Sequence, residues 1–322
     1  MLNICLIGGG GVGTIASLVL EKSGRAKVTA VLRSNYEIVT QKGFEIDSID
    51  HGKLPSWRPS RIVSSIAEAV QYGPYDFVVV TMKALPDVYS LPILVEPVIT
   101  KGVTGIVLIQ NGLNIEMPLA EAFPENVIMS GVSMIGSRMT GNVVYHEDPD
   151  DSFMGPYIHS GLSRENQMEK ARLFVEVYSA GGAAKCVLTD DITRARWRKL
   201  LWNGTFNTLC TLTRLDVGAL QRGGGTESLL RPAMKEMLKV ANGAGYEFPA
   251  ELVDEMIEGT PPTSPFKPSM LVDLEKGNPL ELEVILGAPL RVARGLNLET
   301  PILTMVYEAL KIVQWGILQQ KK

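Results

Sequence analysis

The stretch that decides the fold is LNICLIGGGGVGTIASLVLE, residues 2–21. Its first six residues, apolar except for Asn3, predict a buried strand, and its last eight continue with the periodicity of a helix. Between these two parts, Gly8, Gly10 and Gly13 fit the spacing G-x-G-x-x-G. A strand, a glycine loop and a helix in this order are the context that the dinucleotide-binding fingerprint requires. A purely structural turn is the alternative, and the position directly after a buried strand favours the nucleotide site.

Each glycine of the fingerprint has a physical role. Gly8 makes the tight turn, Gly10 lets the backbone approach a pyrophosphate, and Gly13 lets the helix pack close to the strand. The backbone N–H groups of Gly11, Val12 and Gly13 stand at the start of the helix, where no helical acceptor is available to them. We therefore expect these N–H groups to face the phosphates of a bound dinucleotide.

The end of the second predicted strand decides which dinucleotide is bound. Residues 27–32 predict that strand, and Arg33 follows it, 20 residues beyond Gly13. A site for NAD usually has an acidic residue here to hold the ribose 2′-hydroxyl, whereas an arginine suits a 2′-phosphate. The first acidic residue after the strand is Glu37. The sequence therefore predicts NADP(H) with Arg33 as a phosphate ligand; a solvated loop arginine is the alternative.

The composition narrows the class of protein. A chain of 322 residues with 45% hydrophobic and 20% charged residues is long enough for two globular domains. The net charge is −4 and no basic stretch occurs, so we expect no nucleic-acid partner. No apolar run reaches about 18 residues, so we expect no membrane span.

The cysteines, the histidines and the position of the first strand bear on localisation and on metals. Because the first strand begins at residue 2, we expect no signal peptide. Three widely spaced cysteines fit a reducing compartment, and the sequence predicts a cytoplasmic protein. The three histidines lack the spacing of metal ligands, so no metal site is predicted.

Two further buried strands end in polar residues. Residues 75–81 and 105–109 are near-continuous apolar runs, as expected of parallel strands that are covered on both faces. Lys83 and Asn111 follow these strands closely. Ligands of doubly wound sheets lie outside the carboxyl ends of the strands, so both residues are candidates for the cofactor site. An exposed lysine and an ordinary Asn-Gly turn are the alternatives.

The sequence predicts an α/β fold in which a Rossmann-type doubly wound sheet domain, residues 1–189, is followed by an all-α C-terminal domain, residues 190–322. Residues 143–145 and 153–155 could extend the sheet with antiparallel strands. After residue 190 strand signals give way to helical periodicity. Residues 222–225, RGGG, predict a loop.

One helical stretch of the second domain carries polar residues in apolar surroundings. Residues 200–213 contain no charged residue, which indicates a helix that is buried most of the way round. Lys199, Asn203 and Asn207 recur at i, i+4 and i+8 and so share one face. Either they satisfy other buried polar groups, or they face a cleft that holds a polar ligand, and we favour the cleft.

The chain resembles the ketopantoate reductase (2-dehydropantoate 2-reductase) family along nearly its whole length. The resemblance rests on separated motifs that occur in the family's order. They are the glycine fingerprint, Arg33, TMKA at 81–84, QNG at 110–112, WxKLxxNxxxN at 197–207, SMLxDL at 269–274 and KGxPxE at 276–281.

The resemblance implies roles for the polar residues. Lys199 would be the general acid and Glu281 its carboxylate partner. Asn111 and Lys83 would contribute to the cofactor site. The residues that would bind substrate are Asn111, Asn203, Asn207 and Ser269.

The chemistry that the resemblance implies is the NADPH-dependent reduction of ketopantoate to pantoate in pantothenate and coenzyme A biosynthesis. A hydride reaches C2 from the cofactor. The Lys199 ammonium can stabilise the developing oxyanion and donate a proton to it. Glu281 would orient that ammonium and favour its charged form. A cleft between the domains would exclude water on closure.

Leu280 and Leu286 replace residues that are polar in the family pattern, which leaves another branched 2-keto acid open as the substrate. The sequence is also compatible with a related dehydrogenase that acts on a 3-hydroxy acid or an opine, and with a non-catalytic protein that senses NADP(H). A homodimer is compatible with the sequence, because the uncharged helix could be buried against a second subunit.

Overall fold

The computed structural model describes residues 1–182 and 185–320. The chain divides into two compact units. The first unit consists of Met1–Lys83, Tyr89–Gln110 and Ile115–Ile192, and the second of Ala84–Val88, Asn111–Asn114 and Thr193–Lys322. The two short segments of the second unit lie within residues 1–189, which the sequence assigns to the first domain. The domain boundary at residues 189 and 190 stays a prediction.

The first unit contains the strands and the first six helices. Its strands are β1 (Leu2–Ile7), β2 (Ala26–Val31), β3 (Phe44–Ser48), β4 (Gly52–Trp57), β5 (Arg61–Val63), β6 (Phe77–Val80), β7 (Gly105–Leu108), β8 (Ile128–Ser133), β9 (Gly136–Thr140), β10 (Val143–Asp148), β11 (Asp151–Pro156) and β12 (Lys185–Leu188). Its helices are α1 (Gly11–Lys22), α2 (Tyr36–Lys42), α3 (Ile66–Ala69), α4 (Leu91–Val95), α5 (Met117–Ala122) and α6 (Arg164–Ala180), with 3₁₀ turns at Val70–Tyr72 and Glu96–Val98.

The main sheet has eight strands in the order β12-β11-β8-β7-β6-β1-β2-β5. The strands from β8 to β5 run parallel to one another. All four residues of β6 and of β7 are buried, which explains their unbroken apolar sequences. Helices α1 and α6 pack together against the sheet through side chains such as Ile15, Leu18 and Phe174, which are at most 1% exposed. The predicted α/β class with a Rossmann-type sheet is confirmed.

The two predicted antiparallel extensions have different outcomes. Strand β11 pairs antiparallel with β8, as predicted for residues 153–155. The prediction for residues 143–145 is wrong, because β10 belongs to a second sheet of four strands in the order β4-β3-β10-β9. Strand β10 buries only alternate residues at its start, so it fits a sheet that is covered on one face.

The second unit is helical, as predicted. Its helices are α7 (Ile192–Trp202), α8 (Thr208–Thr213), α9 (Val217–Leu220), α10 (Arg231–Gly243), α11 (Leu252–Glu258), α12 (Ser269–Glu275), α13 (Ala288–Gly295) and α14 (Pro301–Gln319). Among the described residues, two π-helical segments join neighbouring helices, at Asn203–Asn207 between α7 and α8 and at Gln221–Leu230 between α9 and α10, and a third, Glu283–Gly287, directly precedes α13.

Residues 222–225 are not the loop that the sequence predicts. They lie inside the π-helical segment Gln221–Leu230, where Gly224 has a φ of 87° and produces a kink. A residue without a Cβ adopts this backbone conformation at low cost, so the helical path continues on both sides of the kink. Within the described ranges, no helix is both long enough and apolar enough to cross a membrane.

Candidate active site

At Gly8 and Gly13 of the glycine loop, neighbouring backbone atoms leave no room for a Cβ. Gly8 has a φ of +120°, and a Cβ there would lie 2.6 Å from the Met82 backbone nitrogen. A Cβ on Gly13 would lie 1.8 Å from the Gly8 carbonyl oxygen. Around Gly10, by contrast, no described atom lies within 4 Å of the Cβ position. Because helix α1 begins at Gly11, the open space at Gly10 adjoins its N-terminal N–H groups, and the loop fits a dinucleotide pyrophosphate.

Two polar side chains hold the loop in shape, and sequence reasoning did not assign them to the site. The Thr81 hydroxyl donates a hydrogen bond to the Gly8 carbonyl oxygen at 2.7 Å. The Asn35 amide nitrogen donates to the Gly9 carbonyl oxygen at 2.8 Å. Thr81 directly follows β6 and Asn35 lies shortly after β2, so a polar residue at the carboxyl end of a parallel strand was the available signal.

A third polar group at this loop has no partner within the described ranges. The Ser137 hydroxyl is buried and makes no hydrogen bond to a described residue. It would lie 2.9 Å from a Cβ on Gly11, the first residue of α1. Buried hydroxyls are normally hydrogen-bonded. Its position at the N-terminus of α1 therefore makes Ser137 a candidate ligand of a bound phosphate or ribose group.

The predicted cofactor residues Arg33 and Lys83 also lie in the first unit. Arg33 is exposed and stands two residues beyond the end of β2. Lys83 is partly buried and follows β6, and its carbonyl oxygen accepts a hydrogen bond from the Tyr89 hydroxyl. Strands β2 and β6 are the two parallel neighbours of β1. Arg33 and Lys83 therefore follow the carboxyl ends of their strands on the same side of the sheet as the glycine loop, which follows β1. Asn111, which is also predicted to bind cofactor, belongs to the second unit.

The polar residues of the second unit form a connected set. The Lys199 ammonium donates to the Asn111 side-chain oxygen at 2.9 Å. The Asn111 amide nitrogen donates to one carboxylate oxygen of Glu281 at 3.5 Å. The other oxygen of Glu281 accepts a hydrogen bond from the Ala84 backbone N–H at 2.9 Å. Glu281 is only 4% exposed, and a buried carboxylate that accepts several hydrogen bonds is held in one orientation. The set thus links an ammonium donor through Asn111 to an oriented carboxylate.

The Asn111-Gly112 dipeptide is fixed against the rest of the second unit. Arg196 donates to the Gly112 carbonyl oxygen at 2.9 Å, and the Leu113 N–H donates to the Val284 carbonyl oxygen at 2.8 Å. Gly112 has a φ of +105°, and a Cβ there would lie 2.4 Å from that of Val284. The glycine is therefore required for close packing, and the dipeptide serves to bring Asn111 to Lys199.

The three polar residues of the Lys199 stripe have distinct surroundings. Asn207 is 1% exposed; its side-chain oxygen accepts from the Met270 N–H at 2.9 Å and its amide nitrogen donates to the Ser269 hydroxyl at 3.4 Å. Asn203 is 7% exposed. Ser269 is exposed. Asn203 and Ser269 can therefore offer donors to a ligand, and Asn207 fixes the start of α12.

The π-helical segment Asn203–Asn207 changes the angles at which Lys199, Asn203 and Asn207 project from the helix axis. On an α-helix each step of four residues passes one full turn by about 40°, so residues at i and i+8 drift apart. The wider turn of a π-helix reduces this drift, and π segments are frequent at functional sites. Gly204 lets the segment pack closely, since a Cβ there would lie 2.4 Å from the terminal methyl carbon of Met237.

The two leucines that depart from the family pattern are core residues. Leu280 and Leu286 are each 0% exposed. The Leu280 N–H donates to the Gln314 side-chain oxygen at 2.8 Å, and the Gln314 amide nitrogen donates to the Leu280 carbonyl oxygen at 3.3 Å. Gln314 also donates to Asp87 at 3.1 Å. Both leucine side chains therefore belong to the core of the second unit. In the ranges 1–182 and 185–320 no group of three or more His, Cys, Asp or Glu side chains could hold a metal ion.

Comparisons with known proteins identify the family. Residues 4–158 match the family model described as "Ketopantoate reductase PanE/ApbA", and residues 191–314 match "Ketopantoate reductase PanE/ApbA C terminal". The chain therefore belongs to the ketopantoate reductase family. An uncharacterised protein of Saccharomyces cerevisiae is 34% identical, with 100% of this chain and 96% of the relative covered. The 2-dehydropantoate 2-reductase of a Nostoc species is 29% identical, with 96% and 94% covered.

Solved structures agree with this assignment. The crystal structure of 2-dehydropantoate 2-reductase from Methylococcus capsulatus is 32% identical, has a TM-score of 0.82 and covers 98% of both chains. A ternary structure of D-mandelate dehydrogenase with NADH and anilino(oxo)acetate shares the fold at 19% identity, with a TM-score of 0.80 and 98% and 99% covered. Members of the family are oxidoreductases that depend on NAD(P).

Proposed function

We propose that the protein reduces a 2-keto acid to the 2-hydroxy acid with NADPH, with ketopantoate as the first candidate and pantoate as its product. The observation that carries the proposal is the hydrogen-bonded set of Lys199, Asn111 and Glu281. The reaction consumes one keto acid, one NADPH and one proton, and it yields one hydroxy acid and NADP⁺. The bound cofactor supplies the hydride that reaches C2 of the substrate.

Lys199 carries the proton of the reaction. Its ammonium is placed to donate a hydrogen bond to the carbonyl oxygen of the substrate, to stabilise the charge that develops there and then to transfer the proton. Asn111 accepts a hydrogen bond from this ammonium, and Glu281 lies behind Asn111 as the buried anion of the set. We propose that Glu281 keeps the lysine charged before the transfer. The lysine regains its proton from water afterwards.

The remaining polar residues bind the two ligands. We propose that Asn203 and Ser269 donate hydrogen bonds to the substrate, supported by the place of Asn203 on the Lys199 stripe and by the exposure of Ser269. Asn207, which the resemblance also assigns to the substrate site, would act by holding Ser269 and the start of α12. Arg33 recognises the 2′-phosphate and thereby favours NADPH over NADH. The residues proposed to contact the cofactor are Gly8, Gly10, Gly11, Val12, Gly13, Arg33, Lys83 and Asn111.

The biological setting is part of the same proposal. We propose that the protein acts in the cytoplasm and in pantothenate and coenzyme A biosynthesis, with residues 1–189 as the cofactor domain and residues 190–322 as the substrate domain. Another branched 2-keto acid is the second candidate substrate, and the leucines at 280 and 286 favour it because they replace residues that are polar in the family pattern.

The experiment that tests the function measures NADPH consumption with ketopantoate, 2-ketoisovalerate and pyruvate, with NADH as the cofactor control. We expect turnover with a branched keto acid and NADPH, and slower turnover with NADH. In Arg33→Ala we expect the KM for NADPH to rise at least about tenfold, since a charge-assisted hydrogen bond contributes about 1.5–3 kcal/mol, while the KM for NADH stays unchanged. NADPH binding without turnover of any keto acid would favour the non-catalytic alternative.

A further inference from the structure

An aromatic group lies in the same unit as the proposed substrate residues and has no role in the function proposed above. It consists of Trp202, Phe206 and Phe266, and we name it the aromatic group. The Trp202 ring stacks on the Phe206 ring with centroids 5.3 Å apart and an interplanar angle of 21°. The Phe266 ring packs against Trp202 at 6.1 Å with an angle of 58°. Both distances are typical of favourable aromatic pairs.

Each member of the aromatic group stands three residues from a polar residue of the proposed site. Trp202 follows Lys199 by three positions on α7, and residues three apart on a helix are neighbours on its surface. Phe206 lies one residue before Asn207 in the same π-helical segment and three residues after Asn203. Phe266 precedes Ser269, whose hydroxyl accepts from Asn207, by three positions. Each ring is therefore close along the chain to one polar residue of the proposed site.

The aromatic group is held in place by buried contacts and exposes one of its rings. Phe206 is 0% exposed, whereas Phe266 is 48% exposed. The Trp202 indole N–H donates to the Thr260 hydroxyl at 3.0 Å, and the Gln221 amide nitrogen donates to the Thr260 carbonyl oxygen at 2.6 Å. These bonds fix the tryptophan edge to the proline-rich residues 259–268, which also carry Phe266. The partly buried Trp202 ring, held over the buried Phe206 ring, and the exposed Phe266 ring therefore form a preformed apolar surface.

We propose that the aromatic group receives the carbon side chain of the keto acid and selects large apolar side chains, aromatic ones above all. The proposal rests on the proposed function, because it takes Lys199, Asn203 and Ser269 as the groups that hold the carbonyl and the carboxylate. With that end of the substrate held by polar groups, the substituent at C3 is the part that an adjoining apolar surface can bind. A methyl group, as in pyruvate, would leave most of the ring surface in water.

The test compares phenylpyruvate, 4-methyl-2-oxopentanoate, ketopantoate and pyruvate as substrates of the wild-type protein and of Phe266→Ala. We expect kcat/KM in the wild type to be at least about tenfold higher for phenylpyruvate than for pyruvate, the size of effect that apolar pockets produce. In Phe266→Ala this ratio should fall about tenfold, with pyruvate turnover within about twofold of wild type. Phe266→Leu should restore part of the loss, since leucine keeps apolar area but cannot stack.

Two controls separate specificity from stability. Trp315→Ala removes an aromatic side chain that is 64% exposed on α14 and should change neither the ratio nor pyruvate turnover. The thermal midpoint of Phe266→Ala should stay near that of the wild type, because the ring is half exposed. Equal loss of kcat/KM for all four substrates, or an unchanged ratio, would overturn the proposal.

A binding measurement distinguishes this proposal from the proposed function. Phenylacetate and acetate carry the carboxylate but no reducible carbonyl, so calorimetric titration of the full chain with each does not depend on turnover. Phenylacetate should bind at least about tenfold more tightly than acetate, and Phe266→Ala should abolish the difference. Absence of turnover with any keto acid would contradict the reductase function. Equal binding of the two acids would contradict only the role proposed for the aromatic group.

Discussion

In the first unit the candidate cofactor loop is made of backbone from six consecutive residues, 8–13, whereas in the second unit the candidate catalytic set brings together side chains and backbone from four separate parts of the chain. The loop depends on the absence of side chains, since a Cβ on Gly13 would lie 1.8 Å from the Gly8 carbonyl oxygen. The catalytic set depends on side-chain hydrogen bonds, which run from Lys199 to Asn111 and from Asn111 to Glu281.

This difference determines how each region responds to substitution. A backbone site loses function when a side chain is added, and the damage spreads to folding wherever the added atoms meet protein. A side-chain set loses function when a group is removed, and the loss depends on whether that group takes part in the chemistry or holds another group in place. Substitutions of the two kinds therefore distinguish the two regions.

The largest effect is expected at the side-chain set. Lys199→Ala should lower kcat/KM for the keto acid by a factor of about 10²–10⁴, the range attributed to a positioned general acid, while cofactor affinity stays unchanged. Steady-state kinetics and a cofactor titration measure the two quantities. Lys239→Ala, which removes an exposed lysine of α10, is the matched control. A loss of less than about tenfold would show that the proton comes from another group.

At the backbone site, two glycine substitutions should have different effects. Gly13→Ala should lower the free energy of unfolding by about 1–3 kcal/mol and abolish measurable cofactor binding, because the methyl group overlaps the Gly8 carbonyl oxygen. In Gly10→Ala the new methyl group meets no described atom within 4 Å, so the free energy of unfolding of this variant should stay within about 0.5 kcal/mol of the wild-type value. Its cofactor affinity should nevertheless fall about tenfold.

Denaturant unfolding and a fluorescence titration with NADPH measure both effects. If Gly10→Ala bound NADPH as tightly as the wild-type protein, the pyrophosphate would not approach the loop at Gly10, and the dinucleotide interpretation of the loop would need to be abandoned.

The same contrast explains what the sequence could predict. The glycine loop, β1 and α1 are contiguous in the chain, so spacing and periodicity were sufficient. The stripe of Lys199, Asn203 and Asn207 was visible as polar residues in an apolar helix. The sequence predicted Asn111 as a ligand of both cofactor and substrate, and both roles stay predictions. Its hydrogen bonds with Lys199 and Glu281 were not predictable, because they depend on the path of the turn at Gly112, which no local pattern encodes.

The groups that hold the site in place were harder to predict. Asn35 and Thr81 act by donating to loop carbonyl oxygens. Gln314 contacts Leu280 across 34 positions of the chain. Such contacts depend on tertiary packing, and a single polar residue in a helix such as α14 gives no signal of its distant partner.

A smaller effect is expected at Gln314, which we interpret as a positioning residue. Its amide satisfies both the N–H and the carbonyl group of Leu280, the residue before Glu281. Gln314→Met keeps the volume but leaves both backbone groups unsatisfied, at a cost of about 1–3 kcal/mol of stability. We expect kcat to fall about tenfold with little change in the KM for the keto acid, since displacement of a site residue mainly affects the reacting geometry.

The matched control for this position is Gln319→Met, which changes an exposed residue of the same helix. Kinetics at a temperature well below both thermal midpoints separate the effect on kcat from the effect on stability. A parallel rise in KM, or a loss equal to that of Gln319→Met, would contradict the positioning role.

The smallest effect concerns a second buried carboxylate, Asp150, which lies in the first unit and is 1% exposed. It accepts hydrogen bonds from the Tyr178 hydroxyl at 2.6 Å and from the Ser133 hydroxyl at 3.1 Å. Burial raises the pKa of Asp150, and these two hydrogen bonds counteract part of the rise. A carboxyl group whose pKa is raised on folding contributes stability below its unfolded pKa, and this contribution is lost as the pH rises through the folded pKa.

Tyr178→Phe removes a donor that favours the charged form of Asp150, so its cost should be greater where the carboxyl is ionised. We expect the loss of unfolding free energy to be about 1 kcal/mol larger near pH 8 than near pH 4, as hydrogen bonds to charged groups exceed neutral ones by about that amount. Tyr75→Phe is the matched control, because this buried hydroxyl donates at 2.6 Å to the uncharged Ala69 carbonyl oxygen and its loss should cost the same at both pH values. Denaturant unfolding at each pH measures the difference. Keto-acid turnover should be unchanged in Tyr178→Phe, and a change in kcat would show that the buried carboxylate of the first unit affects the chemistry, the role proposed for Glu281 in the second.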